Sequence, residues 1–323
     1  MSQGFGMLHI TNGESVVHSF IAGSIPGSYL AWSDPLHDGP VPLASSLDEL
    51  SDRRAETLSS DGWGSYSEIR SAFAARDQAI AGFQSHEEVV LWFEHDLYDQ
   101  LQLIQLLDWF SAQDLTGVGL SLIQINTHPD VEPFHGLGQL NGQQLAALLP
   151  ARKPVSPKQL ALGRETWQAF CAPDPAALVR LAAREFPEMP FLQAALARFL
   201  EEYPSVESGL SRMQRQILLA SASHGLRGPE LYEASQQFEQ CPWGDASVYL
   251  RLETLASGPQ PALDRKAENR FVINQYGKRL LAGEADWIRS RNGIDVWLGG
   301  VHLTGEDARW RWSAAEQSLR RTE

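Results

Sequence analysis

One short stretch of the sequence concentrates groups that can bind a metal ion or move a proton. The segment FEHDLYDQ contains Glu94, His95, Asp96, Asp99 and Gln100. Carboxylates this close repel one another unless a metal ion, a proton or a cationic ligand relieves the repulsion. Carboxylates beside an imidazole suit hydrolytic chemistry with Mg²⁺, Mn²⁺ or Zn²⁺. Asp96 also suits a helix N-cap, but one cap does not require three carboxylates, so we predict a functional site here.

The same stretch joins a predicted strand to a predicted helix. The apolar run at 87–94 is typical of a buried strand, and the residues that follow predict a helix over about 97–112. Side chains alternate along a strand, so Glu94 and Asp96 are expected to point the same way and His95 the opposite way. A one-residue error in the strand end would reverse these directions.

Three further strands are predicted, at 7–11, 27–34 and 117–126, with helices at 44–60 and 65–84. This alternation is typical of an α/β fold, a Rossmann-like parallel sheet with helices on its faces. In such a sheet, ligands bind outside the carboxyl ends of the strands, at the point where the strand order reverses. We therefore expect polar residues that follow different strands to meet at one edge.

Two other strand ends bring polar residues to this edge. The first strand leads into Thr11, Asn12, Gly13 and Ser15, and the second leads into Asp34 and His37. We predict catalytic roles for Asp34, His37, Glu94, His95 and Asp96. We predict ligand binding by Thr11, Asn12, Gly13, Ser15, Asp99 and Gln100. A divalent metal, the one cofactor that the sequence indicates, would be held by Asp34, Glu94 and Asp96.

Each motif also has a purely structural interpretation. The turn TNGES can place an anion at a helix N-terminus, but it lacks GxGxxG and Glu14 competes with an anion, so an ordinary N-cap explains it equally well. The loop DPLHDGP contains common turn dipeptides, which favours a turn when that loop is taken alone. His128 and His135 flank a proline-rich loop that can fold over the same edge, although most loop histidines are simply exposed.

The predicted secondary structure changes twice in the second half of the chain. The pattern is helical from 141 to 207, and a helix capped by Ser211 and Gln214 follows. Two more helices come next, followed by a strand, a short helix and a β-hairpin in GIDVWLGGVHLTGEDARWRW. Three helices followed by a hairpin is the order of a winged helix. The sequence therefore predicts an α/β domain at 1–140, a helical linker region at 141–207 and a winged-helix-like α+β module at 208–323.

The net charge of −14 is unevenly distributed. Residues 1–150 contain 19 acidic and 4 basic residues, whereas residues 151–323 contain 21 acidic and 22 basic residues. The acidic half is expected to repel nucleic-acid phosphates. The second half lacks a basic stripe, so its charge does not support nucleic-acid binding through the winged helix.

Composition also narrows the cellular setting. No apolar run reaches the length of a membrane span, so no membrane partner is predicted. The first residues show no basic segment followed by an apolar one, as a secretory signal would require. Cys171 and Cys241 are too few for a disulfide framework. We therefore predict a cytoplasmic protein.

Several motifs together resemble a known family. The stretches MLHITNGESV, LAWSDPLHDGPVP and LWFEHDLYDQLQLIQLL are similar to the bacterial family catalogued as domain of unknown function 1835. Its members begin with a strand and a TNG turn, and continue with a W-x-D-x-L-H-x-GP loop and a W-x-EHD-x-x-D-Q junction. QLALGRETWQAFCAPDP, GLSRMQRQIL and WLGGVHL extend the resemblance over nearly the whole chain. The family has no settled activity, so the resemblance implies no mechanism.

Three functions remain open from the sequence. The first is an enzyme, a metal-assisted hydrolase or transferase, acting on a small phosphorylated or nucleotide-like ligand. The second is a ligand-sensing transcriptional regulator with a C-terminal winged helix. The third is a non-catalytic interaction protein whose winged helix mediates self-association, which allows a homo-oligomer. We rank the enzyme first, although motifs of P-loop proteins and serine hydrolases are absent.

Overall fold

The fold is seen in a computed structural model that describes residues 5–222 and 225–322 of the 323-residue chain. Contacts between Cα atoms divide the chain into two compact units, Met1–Leu196 and Ala197–Glu323. Each unit has its own sheet and helices, and each is described separately below.

A five-stranded sheet is the centre of the first unit. The strands of this unit are β1 (Phe5–Thr11), β2 (Ser28–Ala31), the two-residue β3 (Gly39–Pro40), β4 (His86–Glu94), β5 (Gly119–Ile125) and the two-residue β6 (Lys153–Pro154). The sheet order is β2-β1-β4-β5-β6, in which the first four strands are parallel and β6 is antiparallel to β5. The predicted Rossmann-like parallel sheet is therefore confirmed, with all four predicted strands in it.

Helices connect and cover these strands. They are α1 (Glu14–Ala22), α2 (Leu47–Ser60), α3 (Tyr66–Ala81), α4 (Leu97–Ser111), α5 (Gly142–Leu148), α6 (Pro157–Phe170), α7 (Ala176–Ala182) and α8 (Leu192–Leu200), the last of which contains the boundary between the units. Local sequence signals start several of them. Ser46, Ser65 and Ser156 each accept a hydrogen bond from a backbone N–H three residues later, because a serine N-cap satisfies donors that the helix leaves free.

The strand and helix on either side of the carboxylate-rich stretch are the most buried elements of this unit. β4 is buried from Val89 to Glu94, as a central strand covered on both faces should be. α4 is buried around most of its circumference and packs against both β4 and α6. Gly163 of α6 makes this approach possible, because a Cβ there would lie 2.3 Å from the Leu107 Cβ. α6, which belongs to the segment predicted as a helical linker, thus packs within the first unit, and the contact boundary falls at 196 rather than at 140 and 207.

The second unit contains the winged helix. Its elements, in chain order, are α9 (Arg212–Ala220), β7 (Leu226–Arg227), α10 (Gly228–Gln236), α11 (Asp245–Ala256), β8 (Leu263–Lys266), β9 (Arg270–Ile273) and α12 (Gln275–Leu281). The three strands form an antiparallel sheet in the order β7-β9-β8. Three helices, a short strand between the first two and a closing hairpin make up the winged-helix connection, with β8 and β9 as the wing.

Two further hairpins complete the second unit. β10 (Ile294–Gly299) pairs with β11 (Val301–Gly305), and β12 (Trp310–Ser313) pairs with β13 (Ser318–Arg321). The hairpin predicted around WLGGVHL is therefore present, but it is not the wing, because the β8–β9 hairpin already closes the three-helix unit. Within the described residues, none of the helices combines the length and the apolar composition that crossing a membrane requires.

Candidate functional site

The candidate site lies where the strand order of the first sheet reverses. The chain passes from β1 to β2 on one side and then reaches β4 on the other side of β1. β1 and β4 end at the same level, because Thr11 pairs with Trp92 in the parallel register. The residues that follow both strands therefore face each other across the crevice in which α/β sheets bind ligands.

Three carboxylates meet in this crevice. Glu94, Asp96 and Asp99 each offer an oxygen, and these three oxygens all lie within 4.8 Å of one another. We call them the carboxylate cluster. Glu94 is 3% exposed and Asp99 is fully buried, whereas Asp96 is partly exposed. Asp96 is therefore the member of the cluster that contacts solvent.

Backbone and amide donors hold the cluster in place. Asp99 accepts hydrogen bonds from the backbone N–H of Glu94 at 2.7 Å and from Asn12 Nδ2 at 2.8 Å. Asn12 Nδ2 also lies 3.4 Å from Glu94 Oε1, so one amide bridges two carboxylates. Asp96 is the N-cap of α4 and accepts from the Asp99 N–H at 2.8 Å. The cap interpretation of Asp96 is correct, and the same side chain is also a member of the cluster.

The loop after β5 covers the cluster. The backbone N–H of Leu137 donates to Glu94 Oε1, and Gly136 packs directly against the same carboxylate. Leu137 and Leu140 are buried in the core cluster of this unit, together with Phe134. These apolar anchors fix the loop over the carboxyl edge of the sheet, as the sequence allowed. We call residues 134–139 the covering loop.

Gly136 offers a direct test of how tightly this loop fits. A Cβ at Gly136 would lie 2.1 Å from Glu94 Oε2, so Gly136→Ala is expected to lower the free energy of unfolding by about 2 kcal/mol through overpacking. Urea unfolding measures this change. Gly138→Ala is the matched control, since its Cβ would meet only the Ser15 side chain, whose rotatable hydroxyl would lie 3.0 Å away. Equal effects of the two substitutions would contradict close packing against Glu94.

Burial makes the cluster favour protons or a cation. Burial, and then the charge of Asp96, raises the pKa of Glu94 to about 8. Burial also raises the pKa of Asp96 to about 6. The pKa of Asp99 lies well above its ordinary value, through burial and then the charge of Glu94. Carboxyl groups with raised pKa values in a crevice are suited to general acid–base chemistry or to holding a cation.

Hydrogen bonds connect other predicted residues at this edge, Thr11 and Gln100, with Asn12 and Glu94. Thr11 Oγ1 donates to Asn12 Oδ1 at 3.3 Å, and the Tyr98 hydroxyl donates to the Asn12 carbonyl at 3.2 Å. Gln100 is buried and donates from Nε2 to the Glu94 carbonyl at 2.5 Å. Its role in the structure is to fix the end of β4. Burial raises the pKa of Tyr98, which keeps its hydroxyl neutral.

The N-terminus of α1 opens on the same edge. Gly13 is its N-cap, in an extended conformation and without a side chain that could cap the helix. Ser15 lies beside the covering loop, and Ser33 Oγ would be 3.8 Å from a Cβ at Gly13. The first N–H groups of this helix therefore lack a side-chain acceptor, which is the arrangement that favours an anionic ligand. Glu14 in the first turn partly opposes it.

Asp34 lies outside the carboxylate cluster, which corrects the predicted metal ligand set. It is buried, and its Oδ1 accepts from Arg54 Nε at 3.0 Å and from Nη2 at 2.8 Å. Arg54 also donates to the carbonyls of Pro35 and Asp38. The physical reason is charge: a fully buried guanidinium needs a carboxylate and several acceptors around it. Asp99 takes the place in the cluster that was predicted for Asp34.

The predicted histidines lie at the margins of the cluster. His37 is buried, with Nε2 3.5 Å from Asp38 Oδ2 and its ring edge-on to Tyr98 at 6.0 Å. The His95 ring stacks on Phe134 at 6.5 Å and meets Phe191 edge-on at 5.9 Å. Burial lowers the pKa of His95, so this imidazole is neutral at pH 7. These contacts place the His95 ring against the covering loop and the segment that leads into α8.

Two contributors to the site were not singled out in the sequence. Leu137 acts only through its backbone, which no residue pattern reveals. Arg54 is one of four basic residues in an acidic half of the chain, and that scarcity is a signal that could have identified it as a structural ion-pair partner.

A scan against protein-family models and a search of curated proteins found no match for this chain.

Proposed function

We propose that this protein is a metal-dependent enzyme, a hydrolase or transferase, acting at the carboxyl edge of the first sheet. The observation that carries this proposal is the buried carboxylate cluster at the point where the strand order reverses. The proposed metal ligands are Glu94, Asp96 and Asp99. The proposed substrate is a small phosphorylated or nucleotide-like molecule. The resemblance of its motifs to those of the domain of unknown function 1835 family supports the further proposal that the chain belongs to that family.

The donor set fits a small divalent cation. Carboxylate oxygens are the ligands that Mg²⁺ and Mn²⁺ prefer, and three of them converge here. Burial, and then repulsion between neighbouring carboxylates, raises the pKa of Glu94 and Asp99, and a bound cation would offset both effects. When bound, such an ion would polarise a phosphoryl oxygen or lower the pKa of a water molecule.

The chain's own residues would hold the metal ligands in place, bind the substrate and accept a proton. Asn12 bridges Glu94 and Asp99 and so keeps their oxygens turned toward each other. The N-terminus of α1 at Gly13 would receive the anionic group of the substrate, because its N–H groups lack a side-chain cap. The covering loop and Tyr98 exclude water from the inner side of the cluster. The neutral His95 at the margin could accept a proton from a water molecule or a hydroxyl group.

The winged helix favours one alternative, a protein that binds a ligand in the first unit and a partner through the second. The fold of the second unit supports this alternative. Its charge does not support a DNA-binding regulator, because the recognition helix α11 carries one base, Arg251, and that base is turned inward onto Glu202. Self-association through the second unit is compatible with either function.

Metal binding tests the proposal directly. Wild-type protein is expected to bind Mn²⁺ at one site per chain in calorimetric titrations. Asp96→Asn is expected to weaken that binding at least about 100-fold, while asparagine still caps α4. Asp130→Asn, in an exposed part of the loop after β5, is the control and should bind normally. A wild-type protein without affinity for Mn²⁺ or Mg²⁺ would overturn the proposal, as would hydrolysis of phosphorylated substrates that Asp96→Asn leaves unchanged.

A further inference from the structure

The solvent side of the recognition helix has an unusual composition for a winged helix. α11 buries Val248, Leu252 and Leu255 on one side. On the other side Asp245, Tyr249 and Glu253 follow one another at intervals of four residues, so they form one row along the helix. In a winged helix that reads DNA, this row is the position that meets the major groove. Here it presents carboxylates and a phenol.

Arg251 is the one basic residue of α11, and its guanidinium contacts groups inside the module. Arg251 Nε lies 3.3 Å from Glu202 Oε2, and Nη1 donates to the Ser247 carbonyl at 3.0 Å. Its guanidinium also lies 4.9 Å from the ring centre of Trp243. A phosphate could bind Arg251 only if the ion pair between Arg251 and Glu202 broke. Breaking that pair would leave the buried Glu202 carboxylate without a cation, which is energetically costly.

The bases of the wing are neutralised by neighbouring carboxylates. Lys266 Nζ lies 2.9 Å from Asp264, and Arg265 pairs with Glu253 of α11. Arg270 lies 3.7 Å from both Glu230 and Glu268. Every base that the structure describes in β8 and β9 therefore has an acidic partner within the module, so the wing offers a nucleic acid no unpaired base.

Two acidic residues, one on α10 and one on α11, have no ion-pair partner among the described residues. Within the described residues, Glu233 of α10 and Asp245 of α11 form no ion pair, and both are exposed. Tyr232 and Tyr249 lie beside them, with ring centres 6.3 Å apart. The Tyr232 hydroxyl donates to the Trp243 carbonyl at 2.9 Å, which holds the α10 side of this face in place. We call Tyr232, Glu233, Asp245 and Tyr249 the tyrosine–carboxylate face.

We propose that the tyrosine–carboxylate face docks a cationic, Arg- or Lys-rich segment of a protein partner. Unpaired carboxylates attract guanidinium and ammonium groups, and tyrosine rings add cation–π attraction and apolar contact. The same charges repel phosphates, so the winged helix recognises protein and not nucleic acid. This inference concerns the second unit and is independent of the metal site in the first.

Fluorescence anisotropy with the full-length protein tests this inference. The probe is a short labelled peptide of alternating arginine and glycine, at low ionic strength. Wild-type protein is expected to bind it saturably, and Glu233→Gln combined with Asp245→Asn should weaken binding about tenfold. The matched control is Glu284→Gln combined with Glu306→Gln, which removes the same charge from exposed sites elsewhere in this unit and should change binding less than about twofold.

Three results would overturn the inference. The first is no binding of the peptide by the wild type. The second is equal weakening by both double substitutions, which would mean that net acidity and not this face attracts the peptide. The third is tighter binding of duplex DNA than of the peptide. None of these readouts involves a metal ion or catalysis, so failure here is separable from failure of the proposed enzyme.

Discussion

Replacing Glu94 with glutamine is expected to stabilise the metal-free protein at pH 8 while abolishing its affinity for Mn²⁺. Burial and the charge of Asp96 raise the pKa of Glu94 from 4.5 to about 8 in the folded state. The folded protein therefore keeps a proton that the unfolded chain releases. The stability that comes from this proton is complete below pH 4.5 and is lost as the pH rises to about 8.

Glutamine avoids that loss because it is neutral at every pH. Its Oε1 can still accept from the Leu137 N–H, so the covering loop keeps its contact. The expected gain is on the order of 2 kcal/mol at pH 8 and close to zero below pH 4.5. The same change removes one of the three proposed metal ligands, so Mn²⁺ should no longer raise the unfolding midpoint, as it does when an ion binds only the folded state.

Urea unfolding in EDTA and then in Mn²⁺, at pH 4 and at pH 8, measures both effects. Glu87→Gln is the matched control, because Glu87 is exposed on the same strand β4. Its substitution should alter the free energy of unfolding by less than about 0.5 kcal/mol at either pH. If Glu94→Gln lowered stability at pH 8, Glu94 would be ionised and well satisfied in the metal-free protein, and the account of its pKa would be wrong.

Replacing Arg54 with methionine is expected to cost about 3–5 kcal/mol of folding free energy, the largest loss we foresee for a single substitution. Arg54 is fully buried, and its guanidinium holds Asp34 through two hydrogen bonds. Methionine fills much of the same volume but leaves the Asp34 charge buried. The nearest remaining cation is Arg76, whose Nη1 lies 3.9 Å from Asp34 Oδ2.

Neighbouring residues supply the controls for this prediction. Arg53→Met removes the same charge from the next position, where the side chain is half exposed and, among the residues that the structure describes, forms an ion pair with Glu49 alone. It should cost less than about 0.5 kcal/mol. Adding Asp34→Asn to Arg54→Met should recover part of the loss, because it removes the uncompensated charge. Similar costs for Arg53→Met and Arg54→Met in urea unfolding would show that the buried pair does not stabilise the fold.

The order of elements was readable from the sequence because each element carries its own local signal. The apolar run of β4 and the helical pattern of α4 predict a strand–helix junction at Asp96, and the structure has that junction. Likewise Ser211 and Gln214 predict a capped helix, and their reciprocal hydrogen bonds begin α9. Periodicity and capping act over a few residues, so a single sequence displays them.

Pairings between strands that are distant along the chain were harder to predict from the sequence. The hairpin around WLGGVHL was predicted as the closing hairpin of the winged helix, whereas β8 and β9 form the wing. The β8 segment is short and mixes charged with apolar residues, and it makes a strand only because β9 pairs with it and β7 pairs with β9. Strand propensity depends on such neighbours more than helix propensity does.

For the candidate site, the sequence by itself determined which stretches reach the carboxyl edge of the sheet. Asn12, Glu94 and Asp96 follow strands that run parallel, and parallel strands deliver their ends to one edge. Only the tertiary structure decided which side chains meet there. Asp34 and Asp99 have the same chemistry, and the sequence analysis assigned the metal to Asp34 and ligand binding to Asp99. The buried charge of Arg54, which is distant in sequence, draws Asp34 into an ion pair, while the first turn of α4 brings Asp99 to Glu94. Ion pairing depends on distances in space, and the sequence does not contain those distances.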